Sequence, residues 1–433
     1  MNINKILKNN DISELIQKGG ISLLIRIVGF IAGYIFMYYT VKFFGAETQG
    51  RLSISFSFMI FGSLICRLGI DTNFVKIFAI KNNLENAKGI YFKMFPYVLF
   101  ITFLVSILIY FFADYISVNF FNDAYLGTFL KWTAPCILFF TFILLNASVF
   151  RGLKKNTLYS FLFNGGRFLF TLIIFLLFYF LINENPISVV VAHSIGVFLL
   201  FVFSFIYIYK YLFPIKSKST YEVKGFVLNS LPMLFSAAMT VFLGWTDTII
   251  LGIYEGVEKV GIYNVGLKIA IIVSFSLQAL NSILAPKLSH AYHNNDFNTF
   301  NKLVNLTRLI NFIISLTLII LIIIFRNTIL SIFGEEFLLM SFALVILCIG
   351  QLFNAFCGPV GIILQMTGNQ KTFQNILFIA LLLNLSLNLS LVETYGINGV
   401  AFATAISLSF WNISAYIYSK RVINKLKLNS LNS

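Results

Sequence analysis

Arg26, Arg67, Asp71, Arg167, Asp247 and Lys268 stand inside long apolar stretches of this 433-residue chain. An ionisable group at membrane depth costs roughly 2.5–3.5 kcal/mol on insertion scales, so it normally faces a partner or a wet cavity. Four of these side chains are cationic and two are acidic, so the set is net positive. Opposite charges 4 Å apart gain about 4 kcal/mol at an effective dielectric of about 20, against about 1 in water. Such a set favours phosphate and disfavours cationic ligands.

Each residue also has a plainer reading. Arg167 follows Asn164-Gly165-Gly166 and lies about ten residues into its run, or about 15 Å deep at 1.5 Å per residue. Snorkelling from there is hard. The glycines admit another helix or a ligand; the plainer reading ties Arg167 to carbonyls of neighbouring helices. Arg67 and Asp71 are four residues apart and share a helix face. They form an ion pair there, or Arg67 faces a polar cavity with Asp71 setting its position or titrating. Arg26 is only about six residues into its run and can reach headgroups. Asp247 and Lys268, near the outer ends of neighbouring runs, read as a mutual ion pair. Alternatively, Asp71 and Asp247 are candidates for binding a coupling proton or sodium ion. Gln278, Asn281, Asn384 and Asn388 read as interhelical hydrogen-bonding residues, and His193 as a satisfied core histidine. No metal-ligand cluster, nucleophile–base arrangement, P-loop or dinucleotide fingerprint occurs, so neither metal nor cofactor is expected.

The elements that position these residues are apolar helices. The chain is 59% hydrophobic and 11% charged, against about 25% charged in a soluble domain. Apolar runs long enough to cross a bilayer fall at about 20–44, 51–75, 92–112, 127–150, 158–182, 187–210, 226–250, 261–284, 303–325, 338–364, 373–391 and 396–418. Between them, one set of gaps holds only Lys42, Arg51, Lys131, Lys259 and Arg326. The alternate set, both ends and the adjoining run ends, Arg308 among them, hold every other Lys and Arg except Arg26, Arg67, Arg167 and Lys268, which gives twelve passes with both termini cytoplasmic. The net +15 is spread over many loop ends, which suits anionic lipid headgroups and argues against nucleic acid. Cys66, Cys136, Cys348 and Cys357 all fall in apolar runs and read as small core residues. No gap is long enough for a water-soluble domain. Residues Ile3 to Lys18 read as a weakly amphipathic surface helix or a disordered tail.

The longest cytoplasmic gap, Tyr211 to Lys224, divides the chain into an N-terminal six-helix bundle (1–211), a cytoplasmic linker (212–225) and a C-terminal six-helix bundle with a basic tail (226–433). Six is even, so the halves enter from one side and form a parallel repeat. Two echoes support this: Phe44-Gly-Ala-Glu-Thr-Gln-Gly50 with Leu251-Gly-Ile-Tyr-Glu-Gly256, and Arg151-Gly-Leu-Lys-Lys-Asn-Thr157 with Thr367-Gly-Asn-Gln-Lys-Thr372.

Several segments, in this order, resemble the bacterial polysaccharide flippases, the O-antigen and capsule branch of the multidrug/oligosaccharidyl-lipid/polysaccharide exporter superfamily. They are Gly29-Phe-Ile-Ala-Gly33 with Phe44-Gly45, Arg67-Leu-Gly-Ile-Asp71, Asp247-Thr-Ile-Ile-Leu-Gly252, Val260-Gly-Ile-Tyr-Asn264 and Ala285-Pro-Lys287. The resemblance covers nearly the whole chain. It implies an all-α polytopic membrane protein of the MATE-like kind, with two six-helix bundles about a central cleft that opens to each side in turn. It implies an inner-membrane flippase, not an enzyme, moving a polyprenyl-pyrophosphate-linked oligosaccharide from the cytoplasmic to the outer leaflet. Membrane lipids and other polysaccharide-assembly proteins are the expected partners, with no nucleic acid. The family's role for cationic cavity residues passes to Arg67 and Arg167, then to Arg26 and Lys268, as substrate-binding groups. A cation-coupled drug exporter of the same superfamily is the alternative; a membrane polysaccharide polymerase would want a sizeable loop or domain that the gaps do not provide.

Overall fold

A computed structural model describes the backbone of residues 10–80, 83–181, 185–294 and 296–431. The expected amphipathic face over 3–18 lies outside the described side chains. Among the described residues every regular element is a helix. Ten are long and apolar enough to cross a membrane. Two of these, Leu24–Arg67 and Gln370–Asn424, run to 44 and 55 residues, about twice the 20 that one crossing needs. Each is broken once by a glycine with positive φ, Gly45 in the first and Gly396 in the second. The ten helices therefore provide the twelve expected passes of a polytopic membrane protein.

The chain divides into two compact units, Met1–Val241 and Phe242–Ser433. In the first, α1 (Asn10–Arg67) is followed by α2 (Ile70–Phe78), α3 (Leu84–Phe121) and α4 (Ala124–Gly152). A short α5 (Asn156–Ser160) runs through a π-helical turn, Phe161–Gly165, into α6 (Gly166–Leu181), and α7 (Ile187–Leu212) closes the set. Helix α4 is the hub: 78% of its most apolar window is buried, against 17% for α3, which presents Phe100, Phe103 and Phe111 outward. That outward face needs no protein partner if it meets acyl chains. Inside, Tyr91 donates to Asn146 Oδ1 at 2.7 Å and Asn146 Nδ2 donates to Ser204 at 2.9 Å, tying α3, α4 and α7.

Helix α8 (Val223–Glu255) begins in the first unit and ends in the second. The division thus falls beyond the linker expected at 212–225, for a physical reason. That linker is strapped to the start of α3: Lys88 Nζ donates to the carbonyls of Phe213 (3.1 Å) and Ile215, and Lys93 Nζ to that of Ser219 at 3.2 Å. The first turns of α8 follow it into the same unit, with Phe226 in its apolar core and Ser230 accepting from Asn73 at 3.0 Å.

The second unit continues with α9 (Val257–His293), α10 (Phe297–Ile324), the short α11 (Arg326–Ser331), a 3-10 turn, α12 (Ser341–Cys357), α13 (Val360–Met366) and α14 (Gln370–Leu431). The corners of the two units match in conformation. Gly45 (φ 74, ψ −179) and Gly256 (φ 86, ψ 171) share a region open essentially to glycine alone. Aligning them pairs Gly45-Ala-Glu-Thr-Gln-Gly50 with Gly256-Val-Glu-Lys-Val-Gly261. The sequence echo is real but four residues out of register. At the other echo, Lys154 and Gly368 both have positive φ. The next amides, of Lys155 and Asn369, reach back to Phe150 and Leu364 carbonyls at 2.8 and 2.9 Å. Lys154, not Gly152, is the counterpart of Gly368.

Candidate functional site

In the first unit α1 crosses the π-helical turn backbone to backbone. A Cβ on Gly29 would lie 2.3 Å from Gly165 Cα, and one on Gly165 would lie 2.9 Å from the Ile25 carbonyl oxygen. The glycines before Arg167 thus admit a helix. Arg26 lies three residues before Gly29 and Arg167 two after Gly165, one on each of the two segments that cross. Arg26 Nε and Asn164 Nδ2 are buried with no hydrogen-bond partner among the described residues. The Arg167 guanidinium lies against the rings of Phe168, Phe56 and Phe140, at 4.3, 5.2 and 5.4 Å from their centroids. Among the described residues no carboxylate pairs with Arg26 or Arg167. The expected ties from Arg167 to neighbouring carbonyls are replaced by aromatic faces, whose quadrupoles attract the cation without using its N–H donors. A guanidinium has five such donors. The crossing is rich in donors and lacks an anion.

His193 is fully buried and packs against Phe56 with centroids 4.1 Å apart and the rings tilted by 40°, but both ring nitrogens lack partners among the described residues. It is a core histidine, though not the satisfied one expected.

Arg67 and Asp71 do pair, at 2.5 Å, with Arg67 Nε also donating to the Ser63 carbonyl at 3.2 Å. They do not share one helix, however. Helix α1 ends at Arg67, Leu68 (φ 50) and Gly69 (φ 75) turn the chain, and α2 starts at Ile70. The cause is the close passage of α8: a Cβ on Gly69 would lie 2.2 Å from the Ser230 carbonyl oxygen. Arg67 is therefore charge-compensated where it stands, unlike Arg26 and Arg167.

In the second unit Asp247 is 3% exposed. It lies eight residues before the end of α8, about 12 Å at 1.5 Å per residue, and so deeper than the outer position read from the sequence. Oδ2 accepts from Tyr263 at 2.8 Å and from Thr404; Oδ1 accepts from Asn388 at 2.8 Å and Asn384 at 3.4 Å. The partners come from α9 and α14, so the asparagines read as general interhelical glue converge on one carboxylate. Among the described residues no cationic side chain forms an ion pair with Asp247, which replaces the expected pairing with half-buried Lys268. Asn388 Oδ1 is buried with no partner among the described residues. A buried carboxylate ringed by neutral donors, next to an unpaired amide oxygen, suits a proton or a small hard cation. No group of three or more His, Cys, Asp and Glu converges among the described residues.

Asn164, Tyr263 and Thr404 were not singled out by chain spacing. Asn164 flanks the glycines already noted, which was the available signal; the other two lie 16 and 157 residues from Asp247. Arg308, read as a loop-end residue, stands inside α10.

The profile described as polysaccharide biosynthesis protein matches residues 15–291. The chain belongs to that family. A second profile, MatE, matches residues 232–390. The probable low-salt glycan biosynthesis flippase Agl15 of Haloferax volcanii is 27% identical over 169 residues, covering 39% of this chain and 36% of that protein. A putative O-antigen transporter of Shigella flexneri is 28% identical over 176 residues, 40% of this chain and 41% of that protein. The chain thus spans well under half the length of the curated relatives it matches. Among solved structures, the lipid II flippase MurJ in an inward closed conformation has a TM-score of 0.73 at 18% identity, covering 96% of this chain and 91% of that one. An inward-facing multidrug-resistance MATE transporter of the MOP superfamily has a TM-score of 0.72 at 14% identity, covering 94% and 99%. These two likenesses are of fold. They agree with the MATE-like architecture expected for this branch of the polysaccharide biosynthesis family.

Proposed function

We propose that this protein is a flippase of the bacterial inner membrane, carrying a polyprenyl-pyrophosphate-linked oligosaccharide from the cytoplasmic to the outer leaflet by alternating access. The observation that carries the reading is the crossing of α1 and the π-helical turn, where Arg26, Asn164 and Arg167 offer N–H donors and, among the described residues, no carboxylate pairs with either arginine. Two guanidinium groups with no carboxylate beside them leave their N–H donors for an oxyanion, and a diphosphate offers oxygens in the geometry guanidinium prefers. Arg67, neutralised by Asp71, acts as a positioning group at the helix break, and Lys268 as a secondary cation. Asp247 is the group for a coupling proton or sodium ion. The names of the glycan flippase and O-antigen relatives point the same way.

Arg167 decides the matter. Arg167→Gln, at wild-type abundance in the membrane, should abolish complementation of a strain lacking its repeat-unit flippase, while Arg167→Lys retains part of it. Full activity of Arg167→Gln would remove Arg167 from the site.

A second reading, a cation-coupled drug exporter, is favoured by one observation: the buried Asp247 and its partners Tyr263, Asn384 and Asn388, though not Thr404, fall within the MatE match. A drug-susceptibility panel in an export-deficient strain separates the two. Protection against cationic compounds would favour export; the net-positive residues of the first unit argue against it.

A further inference from the structure

At one end of the second unit two cations converge on a single ring. The Arg308 guanidinium carbon lies 4.9 Å from the Tyr416 ring centroid and Lys420 Nζ lies 5.0 Å from it. Their separation cannot exceed the sum of those distances. Two like charges sharing one ring repel, and an anion beside them would relieve that repulsion. Among the described residues neither pairs with a carboxylate. Arg308 Nε is also buried with no hydrogen-bond partner among the described residues. Room for the Arg308 stem comes from Gly358, whose φ is +74 and whose Cβ would lie 3.2 Å from Arg308 Cγ. Of the acidic residues in this half, Glu255, Glu258, Glu335, Glu336 and Glu393 lie at the opposite helix ends and Asp247 lies within α8. Only Asp296 shares this end. There it caps α10, accepting from Thr299 N–H at 3.0 Å, and hydrogen bonds from Thr299 hold its carboxyl below the usual range. Lys302, Lys371 and Arg421 add further exposed positive charge.

The surroundings say what kind of anion fits. Phe356, whose ring is 6.2 Å from that of Tyr416, is 55% exposed, and Leu309 and Ile417 are exposed too. Cations beside exposed apolar side chains on membrane-crossing helices match a phosphate that carries acyl chains. A free phosphate would have no use for the apolar flank. We infer that Arg308, Tyr416 and Lys420 form a binding site for the headgroup phosphate of an anionic phospholipid. The site belongs to the second unit and stands independently of the transport reading built on Arg26 and Arg167.

Native mass spectrometry of the full chain in detergent tests this with phosphatidylglycerol, zwitterionic phosphatidylcholine and inorganic phosphate as probes. Phosphatidylglycerol should be retained over phosphatidylcholine. R308Q and K420Q should each lower its retention about fivefold, the effect of one cation near a charged lipid surface, whereas K302Q should not. Lys420 is exposed, so K420Q reports on the site even if R308Q folds poorly. Unchanged retention in K420Q would overturn the proposal, as would equal retention of the two lipids. Arg308-dependent binding of inorganic phosphate that displaces the lipid would overturn the assignment to a phospholipid.

Discussion

Asp247 accepts four hydrogen bonds from uncharged donors and meets no counter-charge among the described residues. A carboxylate held this way keeps its place without an ion pair, while its net charge in a dry setting remains to be balanced. Asp247→Asn should leave the fold intact but remove acceleration of lipid flipping by a proton or sodium gradient in proteoliposomes. Persistent gradient dependence in that variant would exclude Asp247 as the coupling group. The sequence paired Asp247 with Lys268 because they lie on neighbouring helices; the actual partners come from Tyr263 and from α14, 137 to 157 residues away. One-dimensional spacing carries no signal for such a contact. The Arg67–Asp71 pair was legible because i and i+4 are neighbours on a helix. What spacing could not disclose was the interruption between them, imposed by the backbone of α8 against Gly69. Arg167 was legible as a deep cation, but the three phenylalanines that hold it come from three different helices.

At the scale of elements, the corner glycines matter most. Gly45 and Gly256 lie in a backbone region that costs an L-residue about 1–3 kcal/mol. Gly256→Ala, with nothing within 4 Å of its Cβ position, isolates that backbone term from any clash. Its melting temperature in detergent should fall accordingly, whereas Gly225→Ala, equally uncrowded but without positive φ, should change little. Equal stability of both variants would contradict the strain. The first echo was visible in the sequence because the backbone region of Gly45 and Gly256 is open essentially to glycine alone. The register of the second was not, since Lys154 adopts at φ 59 what Gly368 adopts at φ 78, and a lysine advertises no such turn. Helix boundaries within Leu24–Arg67 and Gln370–Asn424 were likewise read as separate runs, where the backbone stays helical up to the glycine on each side.

For the whole molecule, the twelve passes were legible from hydropathy and charge, because lipid demands long apolar helices and leaves most lysine and arginine at their ends. The place where the units divide was not, since it depends on Lys88 and Lys93 strapping the linker to α3. The positive-inside reading makes a direct prediction. Cysteines replacing Ala124, at the start of α4, and Asn156, at the start of α5 just beyond the other end of α4, both exposed, should react with a membrane-impermeant thiol reagent from opposite faces of the cell membrane. Labelling of both from outside would invert or break the topology. The native thiols at 66, 136, 348 and 357 are all buried, so the background should be low.

The wide turn at Phe161–Gly165 has one more implication, for sequence drift. A π turn holds one residue more than the α-helix around it. Deleting any one of those five residues should therefore leave an unbroken rod rather than a gap. The stretch before it, Asn156–Ser160, would swing by about 100° about the axis relative to Arg167, one residue's share of an α turn. Family members differing in length by a single position here would thus show the same arginine beside a different neighbouring face, a ready means of altering what lies next to it without touching the arginine itself.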